Sequence, residues 1–142
     1  MTDSNIYFED PIRPLGKTTK RIKWIQAVAQ SYDFEIGELC INICSDETLL
    51  EINQRELDHD FYTDIITFDH SIGKQISGDL WISIDRVEEN AQELGEDPND
   101  ELDRVIIHGV LHLIGFGDKT AEEAKQMREE EDKCLNLRPF SH

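Results

Sequence analysis

Three side chains in the last third of the sequence could bind one metal ion. His108 and His112 are four residues apart, and Asp118 follows after Gly115 and Gly117. On an α-helix, side chains four residues apart share one face at about 5–6 Å, so both imidazoles can point at the same ion. The two glycines can adopt the positive φ angles that end a helix and turn the chain back. We therefore predict that His108, His112 and Asp118 are metal ligands.

Three protein ligands leave one position of a tetrahedral zinc ion open, which is typical of catalytic rather than structural zinc. A water molecule in that position is acidified and becomes a nucleophile, so the motif indicates a metal-dependent hydrolase. The expected cofactor is one Zn²⁺ per chain, with other divalent transition metals as alternatives. The histidines could instead be core residues, because the segment around them is apolar. Burying two unpaired imidazoles would cost roughly 1–3 kcal/mol each, which favours the metal site.

The spacing H-x3-H-x2-G-x2-D is also similar to the extended signature of zinc peptidases. Those enzymes carry a general-base glutamate directly after the first histidine, and this chain has Gly109 there. A helix without that carboxylate cannot take the proton from the attacking water. A metallopeptidase-like hydrolase is therefore the weaker enzyme alternative.

The charge excludes one broad class of protein. The chain carries 14 basic and 31 acidic side chains, a formal net charge of −17, which argues against a nucleic-acid binder with a uniformly positive surface. The basic residues are nevertheless clustered near the N-terminus, at Arg13, Lys17, Lys20, Arg21 and Lys23. Such a cluster predicts either a local basic patch or a solvated helix face.

The sequence predicts a cytoplasmic protein with no membrane segment. It begins without a basic region followed by an apolar stretch, so no secretory signal is expected. The longest apolar segment, residues 105–116, is shorter than the ~20 residues that span a bilayer. Three cysteines cannot all pair, and Cys40 and Cys44 are about 13 Å apart along one predicted strand. Reduced thiols fit a cytosolic environment.

With 142 residues, the chain is long enough for one well-packed domain, predicted to span residues 1–142. Alternating or β-branched apolar patterns predict strands near residues 5–9, 38–44, 63–68 and 76–84. Helical periodicity and capping residues predict helices near residues 18–29, 45–57, 84–94, 97–114 and 121–137. We expect an α+β fold with a four-stranded mixed sheet and about five helices. The central apolar helix should carry the metal ligands.

Three stretches of the sequence resemble one known family. They are Asn53-Gln54-Arg55 followed by Y-T-D-I-I-T-F at residues 62–68, S-G-D-L-W-I at residues 77–82, and H-G-V-L-H-L-I-G from His108. Their order and spacing are similar to those of the YbeY family of bacterial metal-dependent endoribonucleases, which act in maturation and quality control of small-subunit ribosomal RNA. The chain departs from that pattern at Asp118, where the family usually has a third histidine. Aspartate is a competent zinc ligand at about 2.0–2.2 Å, so the site survives but the metal preference is open.

The resemblance implies a zinc-dependent, single-strand-specific endoribonuclease that acts in 16S rRNA 3′-end maturation and ribosome quality control. It also implies that Arg55 matches the functionally important arginine of the family. A guanidinium there could bind two phosphate oxygens, although a surface ion pair with neighbouring acids is the alternative. The implied partners are single-stranded RNA, small-subunit rRNA, the small ribosomal subunit and its assembly proteins.

The general base is not assigned by the sequence. Asp64, Asp79, His59 and His70 are candidates by residue type alone. A further alternative is a ribosome-associated assembly factor with a mainly structural metal. Its Glu-rich helices could dock on basic ribosomal proteins although the acidic surface repels bulk RNA.

Overall fold

A computed structural model of the protein describes residues 5–9, 16–58 and 63–142. The element order is β1 (Ile6–Glu9), α1 (Thr18–Ser31), β2 (Glu35–Cys44), α2 (Asp46–Leu57), β3 (Ile65–Asp69), β4 (Gln75–Ser83), α3 (Ile84–Leu94), α4 (Pro98–Ile114) and α5 (Ala121–Leu135). The predicted α+β class, with four strands and five helices, is confirmed. Arg13, His59 and Tyr62 lie outside the described residues.

The strands form one mixed sheet in the order β1-β2-β4-β3. Strands β1, β2 and β4 are parallel neighbours, while β3 pairs with β4 in the antiparallel direction. Strand β3 is therefore an edge strand. Hydrogen bonds from Ser83 N to Asp64 O and from His70 N to Ser77 O flank β3 on either side and, with the register, fix which of its residues bond to β4. Because the pattern alternates, the backbone groups of Ile65 and Thr67 point away from β4.

The two faces of the sheet bury different side chains. Ile41, Ile43, Leu80 and Ile82 belong to the main core, which also contains apolar residues of α1, α3, α4 and α5. A smaller cluster lies on the other face, where Cys44 and Ile66 pack with Leu49 and Ile52 of α2. The alternation predicted for residues 76–84 is thus observed, since successive strand side chains point to opposite faces.

Helix α4 is the central packing element, as predicted. It contacts α1, α3, α5, β3 and β4. The side chain of Asp97 accepts a hydrogen bond from Asn99 N at its start, and Pro98 occupies the first turn, where a missing N–H costs nothing. Its end at Ile114 is followed by Gly115 with φ 126°. A helix held on so many sides is a rigid platform for side chains on its last turns.

One residue of the basic cluster near the N-terminus is not exposed. Arg21 is fully buried on α1, and its Nε donates to Asp103 Oδ1 at 2.8 Å. The residue before α1 is Lys17, in a left-handed conformation and without a side-chain cap.

Among the described helices, none combines the length and apolar character needed to cross a bilayer. Cys40, Cys44 and Cys134 are free thiols.

Candidate metal centre

The three predicted ligands meet at one point. His108 and His112 lie on the last two turns of α4, and their Nε2 atoms are 3.0 Å apart. Asp118 Oδ2 lies 3.3 Å from His108 Nε2 and 3.4 Å from His112 Nε2. The helical spacing and the turn after it therefore bring the three side chains together.

This triangle of atoms fits a tetrahedral zinc ion. Bonds of about 2.0–2.2 Å in tetrahedral geometry separate neighbouring ligand atoms by about 3.3–3.5 Å, close to the observed 3.0, 3.3 and 3.4 Å. The side chains of His108, His112 and Asp118 are 24%, 28% and 41% exposed, so one side of the triangle faces solvent. The donor set thus leaves a coordination position open to a substrate or water.

Asp118 is positioned by the end of one helix and the start of the next. Gly115 takes the positive φ that stops α4, but Gly117, for which the same was predicted, does not. At Gly117 the constraint is space, because a Cβ would lie 3.1 Å from Glu123 Oε1. That carboxylate belongs to a reciprocal capping box in which Glu123 N donates to Thr120 Oγ1. The capping box fixes the start of α5 three residues after Asp118.

One further carboxylate contacts the site, and the sequence did not identify it. Glu131 of α5 is 5% exposed, and its Oε2 lies 2.7 Å from His108 Nδ1. Its Oε1 accepts a hydrogen bond of 2.9 Å from Arg104 of α4. A signal did exist, because Glu131 lies on the same helical stripe as the buried Met127 and Cys134. An acid on an apolar stripe is an unusual choice that needs a buried partner.

These contacts shift the pKa values of the groups involved. Burial lowers the pKa of His108, but the hydrogen bond and charge of Glu131, together with Asp118 and Asp64, raise it above the ordinary value overall. Burial raises the pKa of Glu131, but hydrogen bonds from His108 and Arg104 outweigh it and the net shift is downward. Glu131 is therefore an ionised acceptor at neutral pH.

The metal centre forms part of the wall of an open cleft of about 530 Å³. The lining residues come from α2, the β3 edge, α4 and the turn after it: Asn53, Leu57, Thr63, Asp64, Ile65, Ile66, Thr67, Asp69, His108, His112 and Asp118. Three of these are aspartates, and none of the described lining residues is Lys or Arg. A phosphate entering the cleft would therefore meet positive charge chiefly at a bound metal.

Gly109 packs directly against the sheet. A Cβ at Gly109 would lie 2.9 Å from Ile65 Cδ1 and 2.9 Å from Leu80 Cδ2, both on the sheet. A glutamate at this position would point into the core rather than toward the metal ligands. The geometry therefore gives a physical reason, beyond the residue type, to disfavour the peptidase alternative.

A model of the family described as endoribonuclease YbeY matches residues 11–138. The chain belongs to the YbeY family. Proteins named endoribonuclease YbeY include one from Parabacteroides distasonis, 47% identical over 94% of this chain and 94% of that protein. Another, from Cytophaga hutchinsonii, is 47% identical over 99% of this chain and all of that protein. A third, from Bacteroides thetaiotaomicron, is 49% identical over 86% and 89%, respectively.

The fold also matches a solved structure. A protein from Thermotoga maritima, determined in solution, superposes with a TM-score of 0.66 and 25% sequence identity, covering 93% of this chain and 87% of that one. The family resemblance inferred from the three sequence stretches is thus confirmed.

Arg55, which the YbeY resemblance pointed to, is not among the described residues that line the cleft. Its side chain, on the last turn of α2, is 67% exposed, with Nε 3.2 Å from Glu56 Oε1. Asn53 and Leu57 on the same helix do line the cleft. The phosphate-binding role of Arg55 stays a prediction.

The structure distinguishes between the described candidates for the general base by their positions relative to the cleft. Asp64 lines both the main cleft and an adjoining cavity of about 400 Å³ on the other side of His108. Burial raises the pKa of Asp64, and the nearby charge of His108 offsets this only in part. Asp79 pairs with His70 at 3.5 Å, and neither is among the described lining residues of these two cavities. His59 lies outside the described residues.

Proposed function

We propose that the protein is a zinc-dependent, single-strand-specific endoribonuclease, with residues 1–142 as one catalytic domain. Its substrate is small-subunit rRNA, its role is 16S rRNA 3′-end maturation and ribosome quality control, and its location is the cytoplasm. The relatives named endoribonuclease YbeY support the reaction class. An unpaired strand can bend its backbone into a concave site, whereas a duplex holds its bases and phosphates in a fixed helix, which supports the single-strand preference.

One observation carries the proposal. His108 Nε2, His112 Nε2 and Asp118 Oδ2 form a triangle with sides of 3.0–3.4 Å on the wall of an open cleft. A structural zinc site has four protein ligands and is closed to solvent. Three ligands with one open side favour a catalytic metal over the structural metal of the assembly-factor alternative.

When bound, zinc would supply Lewis acidity toward the attacking oxygen and the phosphoryl group. The remaining steps belong to residues of this chain. We assign Asp64 as the group that accepts the proton of the attacking hydroxyl, because, apart from the proposed metal ligand Asp118, it is the carboxylate among the described residues that lines both cavities beside His108. A base must lie near the nucleophile, and a raised pKa suits that role at neutral pH.

The edge of β3 offers neutral donors to the substrate. The N–H groups of Ile65 and Thr67 point away from β4, and both residues line the cleft. Backbone N–H groups and hydroxyls bind phosphate and sugar oxygens without contributing charge. We propose that they hold the strand across the cleft, and that Arg55 supplies a cation to the phosphate chain as it leaves the cleft beside α2.

The test is cleavage of a labelled single-stranded RNA by the purified chain, with metal content measured on the same samples. We expect about one zinc per chain, loss of cleavage on chelation, and loss of both zinc and cleavage in His108→Ala, His112→Ala and Asp118→Ala. Asp64→Asn should keep zinc but lose cleavage, because it removes only the proton acceptor. A matched control is Asp69→Asn, which changes a cleft carboxylate that the mechanism does not use.

Cleavage that persists undiminished in His112→Ala would point to a contaminating nuclease and refute the proposal. Retained cleavage in Asp64→Asn would refute only the assigned base. For Arg55, Arg55→Glu should slow cleavage more than Arg55→Lys, whereas equal rates would remove its phosphate role.

A second candidate is the assembly factor that docks on the small ribosomal subunit. The exposed acids of α5, including Glu122 and Glu129, favour it because they suit a basic protein partner. If docking is the function, Asp64→Asn should leave rRNA processing in cells intact, and charge reversal on α5 should abolish subunit binding. Lost processing with retained subunit binding in Asp64→Asn would instead favour catalysis.

A further inference from the structure

We infer that Glu131 is a positioning residue that holds His108 in the tautomer able to bind a metal, with Arg104 keeping Glu131 in place. The inference rests on the metal centre of the proposed function. It concerns residues on α4 and α5 that do not touch the ion.

Each oxygen of the Glu131 carboxylate has one partner. Oε2 lies 2.7 Å from His108 Nδ1, and Oε1 accepts a hydrogen bond of 2.9 Å from Arg104 Nη1. Arg104 and His108 are one turn apart on α4, so the carboxylate of α5 bridges two successive turns. The side chain of Glu131 is 7% exposed and that of Arg104 is 16% exposed, which limits competition from water. Such a bidentate carboxylate has little freedom to rotate.

A neutral imidazole carries one proton, on either Nδ1 or Nε2, and only the nitrogen without the proton can bind a metal. An ionised carboxylate accepts hydrogen bonds and cannot donate, so Glu131 requires the proton to be on Nδ1 of His108. Nε2 of His108, which faces His112 and Asp118, then presents its lone pair. This is the carboxylate–histidine–metal arrangement that orients a ligand and raises its basicity.

The arrangement also excludes one of two hydrogen bonds that would compete with a metal. The two Nε2 atoms are 3.0 Å apart, so either histidine could donate to the other if its proton were on Nε2. With Glu131 in place, a neutral His108 can only accept at Nε2, which excludes the bond from His108 to His112. Among the described residues, His112 has no comparable carboxylate contact on its Nδ1, so no carboxylate fixes its tautomer. The two histidines therefore differ in a way that spectroscopy can detect.

Nitrogen-15 NMR of the imidazoles and zinc titration against a competing chelator test this inference. In the metal-free wild-type chain, at a pH where His108 is neutral, we expect His108 to be the Nδ1–H tautomer. In Glu131→Gln, the amide can donate as well as accept, so His108 should populate both tautomers, and zinc affinity should fall. Removing the acceptor in Glu131→Ala should lower affinity by about 10–100-fold, the usual effect of losing such a partner.

Asp132→Asn is the matched control. Asp132 is the other acid paired with Arg104, at 2.8 Å, but its side chain is 55% exposed and it does not contact His108. It should leave the His108 tautomer and zinc affinity unchanged. Circular dichroism checks that each variant is folded at the temperature of the titration.

A zinc affinity in Glu131→Gln and Glu131→Ala within twofold of wild type, with an unchanged His108 tautomer, would overturn the inference. Glu131 would then be only a cross-link between α4 and α5. Failure of the wild-type chain itself to bind zinc would refute the metal centre, and the positioning role with it. Because neither measurement uses RNA, a failure of the proposed nuclease activity would leave this test intact.

Discussion

Replacing Gly109 with alanine measures how closely α4 approaches the sheet behind the metal ligands. The added Cβ would lie 2.9 Å from Ile65 Cδ1, 2.9 Å from Leu80 Cδ2 and 3.0 Å from Leu80 Cδ1. Ordinary carbon–carbon contacts have their optimum at about 3.5–4.0 Å. Because Leu80 is fully buried, neither the helix nor the side chain can move without disturbing the core.

Two opposing effects set the expected change in the free energy of unfolding. Alanine is favoured over glycine within a helix by about 1 kcal/mol. Overpacking a dense core costs about 1–3 kcal/mol. The balance predicts that Gly109→Ala destabilises the protein by about 1 kcal/mol, with an upper limit of about 2 kcal/mol. Urea denaturation of the metal-free chain, followed by circular dichroism, measures this difference without a contribution from zinc binding.

The Leu80→Ala background provides the control, because it removes two of the three contacts. There, Gly109→Ala should become neutral or stabilising, so the two substitutions should be strongly non-additive. Stabilisation of about 1 kcal/mol by Gly109→Ala in the wild-type background would refute the reasoning, since it would mean that helix propensity alone acts. Gly109→Glu should be more destabilising still and should create no peptidase activity, because the carboxylate would point into the sheet.

Three further predictions follow from the charges of the described residues. Between 50 and 200 mM salt, kcat/KM for RNA should change by less than about tenfold, because none of the described residues that line the cleft is Lys or Arg. A fall in kcat/KM of about 10³–10⁵, which is typical of proteins with 6–10 phosphate contacts, would contradict this prediction. Asp103→Ala should lower the free energy of unfolding by about 3–5 kcal/mol in urea denaturation, because it leaves the buried Arg21 without its partner. Tyr32 donates a hydrogen bond to Glu130, and this bond lowers the pKa of Glu130. The stability that this bond adds to the fold is present above the pKa of Glu130 in the unfolded chain, about 4.3, and is lost as pH falls through the lower pKa of the folded state. Tyr32→Phe should therefore lower the free energy of unfolding by about 1 kcal/mol at pH 7 and by much less at pH 3, as measured by urea denaturation.

The meeting of His108, His112 and Asp118 at one point was predictable because its geometry is local. The spacing of His108 and His112 needs only a helix, and Asp118 needs only the helix end that Gly115 provides. Glu131 was not predictable in the same way, since it reaches His108 from another helix, 23 residues along the chain. Its position depends on how α5 packs against α4, which no local spacing encodes. The apolar stripe of α5 could have predicted that Glu131 is buried, but it could not have predicted that His108 is its partner.

The exposed position of Arg55 follows from the pattern of buried residues on α2. Helix α2 buries Leu49, Ile52 and Asn53, and Asn53 and Leu57 line the cleft. Two residues correspond to about 200° around a helix, so Arg55 lies on a different side from both. The buried stripe, read from the sequence, would have placed Leu57 rather than Arg55 at the cleft. The family resemblance favoured the arginine, and its phosphate-binding role stays a prediction.

The burial of Arg21 within the N-terminal basic cluster was also not predicted from the sequence. Charge counts treat every Arg and Lys as exposed, but Arg21 shares a helical face with Trp24, Ile25 and Val28 and is fully buried. A charge at that position needs a buried partner, which Asp103 of α4 supplies. The pairing joins α1 to α4, so it supports the fold rather than RNA binding.

Asp118 makes the proposed metal centre one unit of charge less positive than three histidines would. This loss of one positive charge weakens phosphate binding, because the described lining of the cleft contains no Lys or Arg and the metal would be the main positive charge that a phosphate meets. Two unit charges about 4 Å apart interact by about 4 kcal/mol at an effective dielectric constant of 20. A carboxylate ligand therefore binds the cation more tightly while weakening its pull on the substrate. An acidic protein with this ligand set should retain its metal well and cleave free RNA slowly, since the metal alone cannot hold the strand across an acidic cleft.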